Sequence, residues 1–328
     1  MIRIRALSSL SLIAAGLTGC GGGSRHESTE VYYLIVANVK IAYWQEAAVG
    51  MSEAAKALGV RYEVAGPDTY DPKAEKEVFD RIVNRSPTPA GILVSVANPE
   101  VLGPSIDAAV AKGIPVITLD ADAPKSKRLF FIGTDNYDVG QMGGQLVADA
   151  LKGRGNVAVY TMPGQANLDQ RLDGYKRAFS RYPDIKIIQT IDVKGDPVAA
   201  FDGTKTLLGA AVKPDAFVCL EALACQEVAD VLDREKISGK LVMAMDTNPG
   251  TMDWIKKGVI RATIAQKPYT MAYYGLRLAD DLHHNKPSGM GEDHSNDTRS
   301  PVPHHVDTGV TMVDKNNIEE FVGARAAN

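Results

Sequence analysis

The feature that most constrains this chain is a repeated alternation of short apolar runs with longer amphipathic stretches. A first series of apolar runs extends from residues 31–38 to 128–134, and a second from 156–162 to 260–264. The stretches between them carry helix signals, such as Asp71 before Pro72 and a closing Gly59. Strands that alternate with helices predict an α/β fold with parallel sheets, and continuous apolar strands are typical of sheets covered on both faces. A length of 328 residues favours two such doubly wound sheets over one.

The first residues indicate an export signal that is not part of the folded protein. Two arginines in "MIRIR" precede the apolar run "ALSSLSLIAAGL", which is too short to span a membrane. The following "LTGC" resembles the lipobox of bacterial lipoproteins, which implies cleavage before Cys20 and lipidation of that residue. We expect a signal peptide at 1–19, a flexible lipid-anchored tether at 20–30, and a periplasmic or cell-surface location. The alternative is an ordinary secretory signal with an incidental cysteine.

Two further cysteines, Cys219 and Cys225, flank "LEALA" at a predicted strand-to-helix junction. An exported protein can form disulfides, so a local bridge is one interpretation. Two buried free thiols are the other, and the sequence does not decide between them.

Polar and aromatic side chains follow the predicted strands, where open α/β sheets bind their ligands. Taken singly, most would be helix caps, turn residues or core aromatics. Taken together, they form a set rich in planar groups that can make paired hydrogen bonds, beside an aromatic surface suited to a sugar ring. The predicted ligand-binding residues are Tyr43, Trp44, Asp120, Asp122, Arg171, Glu221, Asp246 and Gln266.

Several segments resemble the type I periplasmic sugar-binding proteins, and in particular their ribose-binding branch. They include "AYWQEAAVGMSEAAKALGV", "GIPVITLDADAP", "QRLDGYKRAF" and "VMAMDTNPGTMDWIKKGVIRATIAQKP", in order across about residues 31–313. The resemblance implies two similar lobes joined by three crossovers, near residues 134, 266 and 307. The lobes would comprise 31–134 plus 267–306, and 135–266 plus 307–328. It also implies a substrate-binding component of a sugar ABC transporter, with a membrane permease as partner.

The resemblance assigns ligand contacts to six of these residues, and Asp122 and Glu221 are additions inferred from their positions. Three departures from the ribose-binding pattern stand at Ala121, at Leu220-Glu221 and at Gly195-Asp196, where the second lobe would supply an aromatic. They indicate a missing wall of the pocket and a ligand other than ribose, such as a larger or differently substituted sugar or one with an amine.

Other functions are weaker interpretations of this sequence. The nucleophile-elbow, phosphate-loop and dinucleotide motifs of common enzymes are missing, so we expect no enzyme and no cofactor. Asp120 and Asp122 are too few for calcium. A net charge of -4 argues against binding to nucleic acid. We also expect a monomer. A sensor that presents bound sugar to a membrane receptor or kinase remains the alternative.

We also predict no metal site. The histidine-rich stretch near the C-terminus is polar and rich in proline and glycine, which is typical of a solvated loop. Its potential ligands are His283, His284, Glu292, Asp293, His294, His304 and His305.

Overall fold

The computed structural model describes residues 26–288 and 299–326, and it divides them between two six-stranded sheets. The predicted tether before residue 26, Cys20 included, and the acidic and histidine residues 292–294 lie outside the described residues. The elements in chain order are β1 Val31–Ile35, α1 Ala42–Leu58, β2 Arg61–Ala65, α2 Pro72–Val83, β3 Gly91–Val94, α3 Pro99–Ala111, β4 Val116–Leu119, β5 Phe131–Gly133, α4 Asn136–Ala150, β6 Arg154–Thr161, α5 Ala166–Phe179, β7 Asp184–Asp192, α6 Pro197–Gly209, β8 Ala216–Cys219, α7 Ala224–Arg234, β9 Leu241–Met245, α8 Pro249–Lys257, β10 Ala262–Ala265, α9 Pro268–His284, β11 His305–Asp307, β12 Thr311–Asp314 and α10 Ile318–Ala326.

The strand order is the same in both sheets when equivalent strands are matched. The first sheet runs β11-β5-β4-β3-β1-β2 and the second β12-β10-β9-β8-β6-β7. All pairs are parallel except β10 with β12, which is antiparallel. The predicted fold class, two similar doubly wound α/β lobes, is therefore confirmed.

Each sheet is covered by helices on both faces, as the continuous apolar strands require. Helices α1 and α9 pack on one face of the first sheet, and α2 and α3 on the other. Two further buried clusters enclose the second sheet in the same way.

Equivalent helices also begin in the same manner in the two lobes. The Asp71 side chain accepts the backbone N–H groups of Lys73 and Ala74 at the start of α2. In the second lobe Asp196 accepts the N–H of Val198 at the start of α6. In both places proline follows, where its fixed φ suits the first helical position. The predicted cap at Asp71 is thus confirmed.

The chain passes between the sheets three times: after β5, after β10 and between β11 and β12. The first and third passages touch, because the backbone N–H and the hydroxyl of Thr308 both donate to the carbonyl of Gly133, at 2.8 and 3.0 Å. The strand β11 was not predicted, since three residues flanked by polar ones give no apolar run. A disulfide joins Cys219 to Cys225 and decides the open alternative in favour of the bridge. Among the described residues, none of the helices is long and apolar enough to cross a membrane.

Candidate functional site

A cavity lies between the two sheets, at the carboxyl ends of their strands. Its volume is about 80 Å³, and its lining comes from both lobes. The predicted residues Tyr43, Trp44, Asp120, Arg171, Glu221, Asp246 and Gln266 all line it, together with Tyr70, Gln165, Asn167 and Gly195, among others.

Two aspartates occupy equivalent places in the two lobes. Asp120 directly follows β4 and Asp246 directly follows β9, and both have a φ of 64°. Their backbone N–H groups are held by the neighbouring strand, Asp120 by Ile132 at 3.1 Å and Asp246 by Ile264 at 2.9 Å. A left-handed conformation is unfavourable for a residue other than glycine, although aspartate and asparagine tolerate it best. Such strain persists where a side chain must be aimed, here from each lobe towards the cavity.

The Asp120 carboxylate is bonded from its own lobe and from the other. The Tyr43 hydroxyl donates to one oxygen at 2.7 Å. The Asn167 amide, from the first turn of α5 in the second lobe, donates to the other oxygen at 3.3 Å. The second bond spans the cleft, so the structure shows the lobes closed on each other.

Arg171 is the largest polar side chain buried in the site, with 2% of its surface exposed. Its guanidinium donates to the Leu220 carbonyl, to Asn136 Oδ1 at 2.5 Å and to Gln266 Oε1 at 3.4 Å. The Gln266 amide in turn donates to Asp246 Oδ1 at 3.2 Å. A chain of hydrogen bonds therefore connects the buried cation to the buried acid.

Two polar atoms on the wall of this cavity are buried without a hydrogen-bond partner in the described part of the chain. They are Nε of Arg171 and Oε1 of Gln165. A buried polar group left unpaired costs about 1–3 kcal/mol. One is a donor and the other an acceptor, so a hydroxyl-bearing ligand could satisfy both.

The aromatic side chains form one side of the cavity. Tyr43 and Trp44, both 7% exposed, pack edge to face with ring centroids 4.8 Å apart. Tyr70, between β2 and α2, donates its hydroxyl to the Ala97 carbonyl at 3.1 Å. Its Cβ lies against Gly195 of the other lobe, where an added Cβ would approach it to 2.6 Å.

Tyr70 and Asn167 were both missed by the sequence analysis. The available signal was the departure at Gly195-Asp196, which indicated a missing wall. The structure shows that the first lobe contributes the aromatic there, and Tyr70 fills the space that glycine leaves. No local pattern points to Asn167, because its partner Asp120 is distant in sequence and lies across the cleft.

Asp122 does not line the cavity. The Arg128 guanidinium holds its carboxylate through Nε at 2.5 Å and a second nitrogen at 2.7 Å, and the Thr118 hydroxyl donates to it at 2.6 Å. Its predicted position rested on the alternation of side chains along an extended strand. The left-handed backbone at Asp120 interrupts that alternation, so Asp122 turns away towards Arg128.

Glu221 does reach the cavity wall, but its oxygens are already engaged. They accept the backbone N–H groups of Leu223 at 2.7 Å and Ala224 at 2.6 Å, at the start of α7. This is a helix-capping arrangement, which satisfies donors that have no partner within the helix.

Burial raises the pKa of every acid in the cavity. The pKa of Asp246 rises to about 7, because desolvation and the nearby Asp120 outweigh the opposing effects of Arg171 and Gln266. The pKa of Asp120 is also raised by burial, against the lowering effects of the Tyr43 hydrogen bond and Arg171. The site therefore holds acceptors whose charge is poorly compensated by the protein alone.

Comparison with known proteins agrees with this geometry. Residues 32–287 match the family described as periplasmic binding protein domain. The D-allose-binding periplasmic protein of Escherichia coli (strain K12) is 26% identical over 261 residues, which is 76% of this chain and 83% of that protein. The structure of AraP, an arabinose-binding protein from Geobacillus stearothermophilus, is 31% identical with a TM-score of 0.73, covering 89% of this chain and 99% of that one. A solute-binding protein from Burkholderia graminis, in complex with D-arabinose, is 27% identical with a TM-score of 0.80, covering 90% and 98%.

Proposed function

The chain belongs to the periplasmic binding protein family, as a sugar-binding and non-enzymatic component of ABC transport, and on that premise we propose how it works. It captures a monosaccharide between two closing lobes outside the cytoplasm and delivers it to an ABC permease. The observation that carries this proposal is the closed cavity in which each lobe aims one aspartate, Asp120 or Asp246, at the same space.

The ligand contacts follow from the residues that line the cavity. Tyr43, Trp44 and Tyr70 cover the apolar faces of the ring, since aromatic surfaces pack well on C–H groups. The polar contacts to the hydroxyl groups come from Asp120, Asn167, Arg171, Asp246 and Gln266. Because these residues come from both lobes, the ligand binds the closed state more tightly and shifts the equilibrium towards it.

The size of the cavity favours a monosaccharide. A buried cavity needs about 10–15 Å³ of volume for each water molecule that it holds. The cavity of about 80 Å³ therefore has room for roughly five to eight waters. Five to eight waters are comparable in volume with one sugar ring and its hydroxyls, whereas a disaccharide would need about twice that space.

The charges favour a neutral sugar over one that carries an amine. The extra acid of this cavity, Glu221, is committed to two backbone N–H groups. Arg171 opposes the charge of Asp120, and the pKa of about 7 leaves Asp246 partly protonated at neutral pH, so the cavity needs no cationic ligand to balance its acids. We therefore propose a pentose or hexose other than ribose, in the class that includes the D-arabinose and D-allose bound by the relatives.

The arrangement of the whole chain completes the proposal. We propose that Cys20 is lipidated after removal of 1–19 and that 20–30 form the tether. The first lobe comprises 31–134 plus 267–306, and the second 135–266 plus 307–328. The closed surface of the two lobes is what the permease recognises. Cys20→Ser should move the protein from the membrane fraction to the soluble fraction, and an unchanged membrane fraction would refute the anchor.

A ligand panel tests the sugar assignment. Purified protein would be titrated calorimetrically with D-arabinose, D-allose, D-ribose, D-xylose, D-galactose, glucosamine and maltose. We expect a neutral pentose or hexose to bind with the highest affinity, and maltose and glucosamine to bind weakly. Tightest binding to the disaccharide or the amino sugar would overturn the argument from cavity size or from charge.

A further inference from the structure

Four potential metal ligands meet on the first lobe beside the amino end of β1, whereas the sugar cavity lies at the carboxyl ends of the strands. They are His26 and Glu30, which precede β1, and Asp280 and His284 at the end of α9. Each offers one nitrogen or oxygen atom, and these atoms all lie within 4.8 Å of one another. We call this group the His26 cluster.

Local geometry explains why the four side chains converge. Asp280 and His284 are four residues apart on α9, so they project from the same face of the helix. The segment before β1 crosses that face and brings His26 against Asp280, with Nε2 3.0 Å from Oδ1. It also brings Glu30 against His284, with Oε2 3.1 Å from Nε2.

The three measured spacings lie close to those of a tetrahedral metal site. Zinc binds imidazole nitrogen and carboxylate oxygen at about 2.0–2.2 Å, which places neighbouring ligand atoms of a tetrahedron about 3.3–3.6 Å apart. The observed separations are 3.0 Å for His26 with Asp280, 3.1 Å for His284 with Glu30 and 3.6 Å for His284 with Asp280. Small movements of the side chains would bring all four onto one ion.

The surroundings supply the support that metal ligands usually have. The Tyr32 hydroxyl, on β1, donates to Asp280 Oδ1 at 2.8 Å and fixes the orientation of that carboxylate. Glu30 and Asp280 are 8% and 6% exposed. Within the described part of the chain, their ion pairs are with His26 and His284 alone. Two buried carboxylates beside two imidazoles form a negative site, which a divalent cation would neutralise.

We propose that the His26 cluster binds one Zn²⁺ ion and thereby fastens the N-terminal segment to α9. It is a different group from the histidine-rich stretch of the sequence, since among the described residues of that stretch only His284 takes part. The donor set, two imidazoles and two carboxylates without thiolate, suits zinc among the available divalent ions.

The consequence for the anchored protein rests on the proposed lipidation of Cys20. Cys20 precedes His26 by six residues and precedes β1 at Val31 by eleven. At about 3.5 Å for each extended residue, the tether would reach at most about 20 Å when the cluster holds residue 26 against α9, and at most about 40 Å when residue 26 is released. Zinc would therefore hold the lobes closer to the membrane.

The test uses full-length protein stripped with a chelator and titrated with ZnCl₂ at pH 7.5. We expect one ion per chain by calorimetry, and an intense visible absorption when Co²⁺ replaces Zn²⁺, as four-coordinate cobalt gives. His26→Ala combined with His284→Ala should weaken binding at least 100-fold, and Tyr32→Phe should weaken it about 10- to 100-fold, as loss of an orienting partner does. The matched control is His304→Ala, whose side chain is exposed, and it should bind zinc as the wild type does.

Sugar affinity measured on the same samples shows whether each variant is folded and keeps this test separate from the proposed function. Should the double variant fail to fold, Asp280→Asn removes a ligand charge and keeps an acceptor for Tyr32. The proposal is overturned by a wild-type protein that binds sugar but no zinc at micromolar concentrations. It is equally overturned by zinc binding that survives in the folded double variant or in Asp280→Asn.

Discussion

Replacing Asp246 by asparagine should change ligand binding and protein stability in opposite directions. Asparagine has nearly the same shape and tolerates the left-handed backbone, with φ 64°, that this position requires. The substitution therefore removes the negative charge and one acceptor while it preserves the turn after β9. Alanine would add backbone strain to these effects and would be harder to interpret.

The loss of sugar affinity can be sized from the hydrogen bonds at this position. Both carboxylate oxygens lie near the Gln266 amide, at 3.2 and 3.4 Å, and each keeps lone pairs for a ligand in the cavity. A hydrogen bond to a charged group contributes about 1.5–3 kcal/mol. The dissociation constant should therefore rise roughly 10- to 150-fold, at 1.4 kcal/mol for each factor of ten.

The stability of the free protein should change with the opposite sign. Burial raises the pKa of Asp246 from its usual value near 3.8 to about 7, so the folded protein binds a proton more tightly than the unfolded chain. This carboxyl group consequently favours the folded state most at low pH, and its contribution declines as the pH rises from about 4 to about 7. At pH 8 the folded state carries the full cost of a buried charge, and Asp246→Asn should raise the free energy of unfolding by about 1–4 kcal/mol.

Calorimetric titration with the best sugar and urea unfolding at pH 5 and pH 8 would measure both effects. Asp173→Asn is the control, because Asp173 is exposed on α5 and pairs only with Lys176 among the described ion pairs. Unchanged sugar affinity in Asp246→Asn would refute the assigned contact. If the free energy of unfolding of the variant, relative to that of the wild type, is lower at pH 8 than at pH 5, the electrostatic reasoning is refuted, since the sign of the pH dependence would be reversed.

Three other substitutions test separate parts of the structure. Gly195→Ala should weaken sugar binding at least tenfold by calorimetry, because its Cβ obstructs closure; Gly239→Ala, at a similar φ but with free space around it, should not. Glu75→Gln should raise the free energy of unfolding by about 3 kcal/mol at pH 7 without changing sugar affinity, since burial raises the pKa of Glu75 to about 8; equal stability of the two proteins would contradict this. Asp122→Ala should leave sugar affinity unchanged but lower the free energy of unfolding, measured with urea, by about 3–5 kcal/mol, because it leaves the buried Arg128 without its ion-pair partner. A loss of sugar affinity in the folded variant would show that Asp122 belongs to the binding site.

The fold could be predicted well because its signals are local. Continuous apolar strands, helix caps such as Asp71 and the strand-to-helix alternation each act within a few residues, and they agree with one another. The acids at the ends of β4 and β9 could be located for the same reason, since the carboxyl edge of a parallel sheet follows from the topology. What these patterns cannot give is the backbone conformation at one residue. The left-handed turn at Asp120 reversed the direction expected for Asp122, two positions later.

The other residues that were missed belong to contacts between the lobes. Tyr70 meets Gly195 and Asn167 meets Asp120 across the cleft between the two lobes, and the partners are distant in sequence. The sequence carried a trace of the first contact, because a missing aromatic in one lobe leaves space that the other lobe must fill. Which residue fills that space depends on how the two sheets are placed relative to each other, and periodicity and capping signals carry no information on that placement.

The closed cavity is unfavourable for the protein in ways that a sugar would relieve. Asp120 and Asp246 are strained in their backbones and desolvated as acids, and Arg171 buries a nitrogen that has no partner among the described residues. Against these costs the described cross-cleft contacts are few, a 3.3 Å amide bond to Asp120 and the packing of Tyr70 on Gly195. Hydroxyl groups that donate to the two carboxylates and accept from the guanidinium would satisfy the polar groups on both sides of the cleft at once. A ligand that hydrogen-bonds to these polar groups of both lobes gains its full affinity only when the lobes are closed. This is the differential binding that a capture mechanism requires.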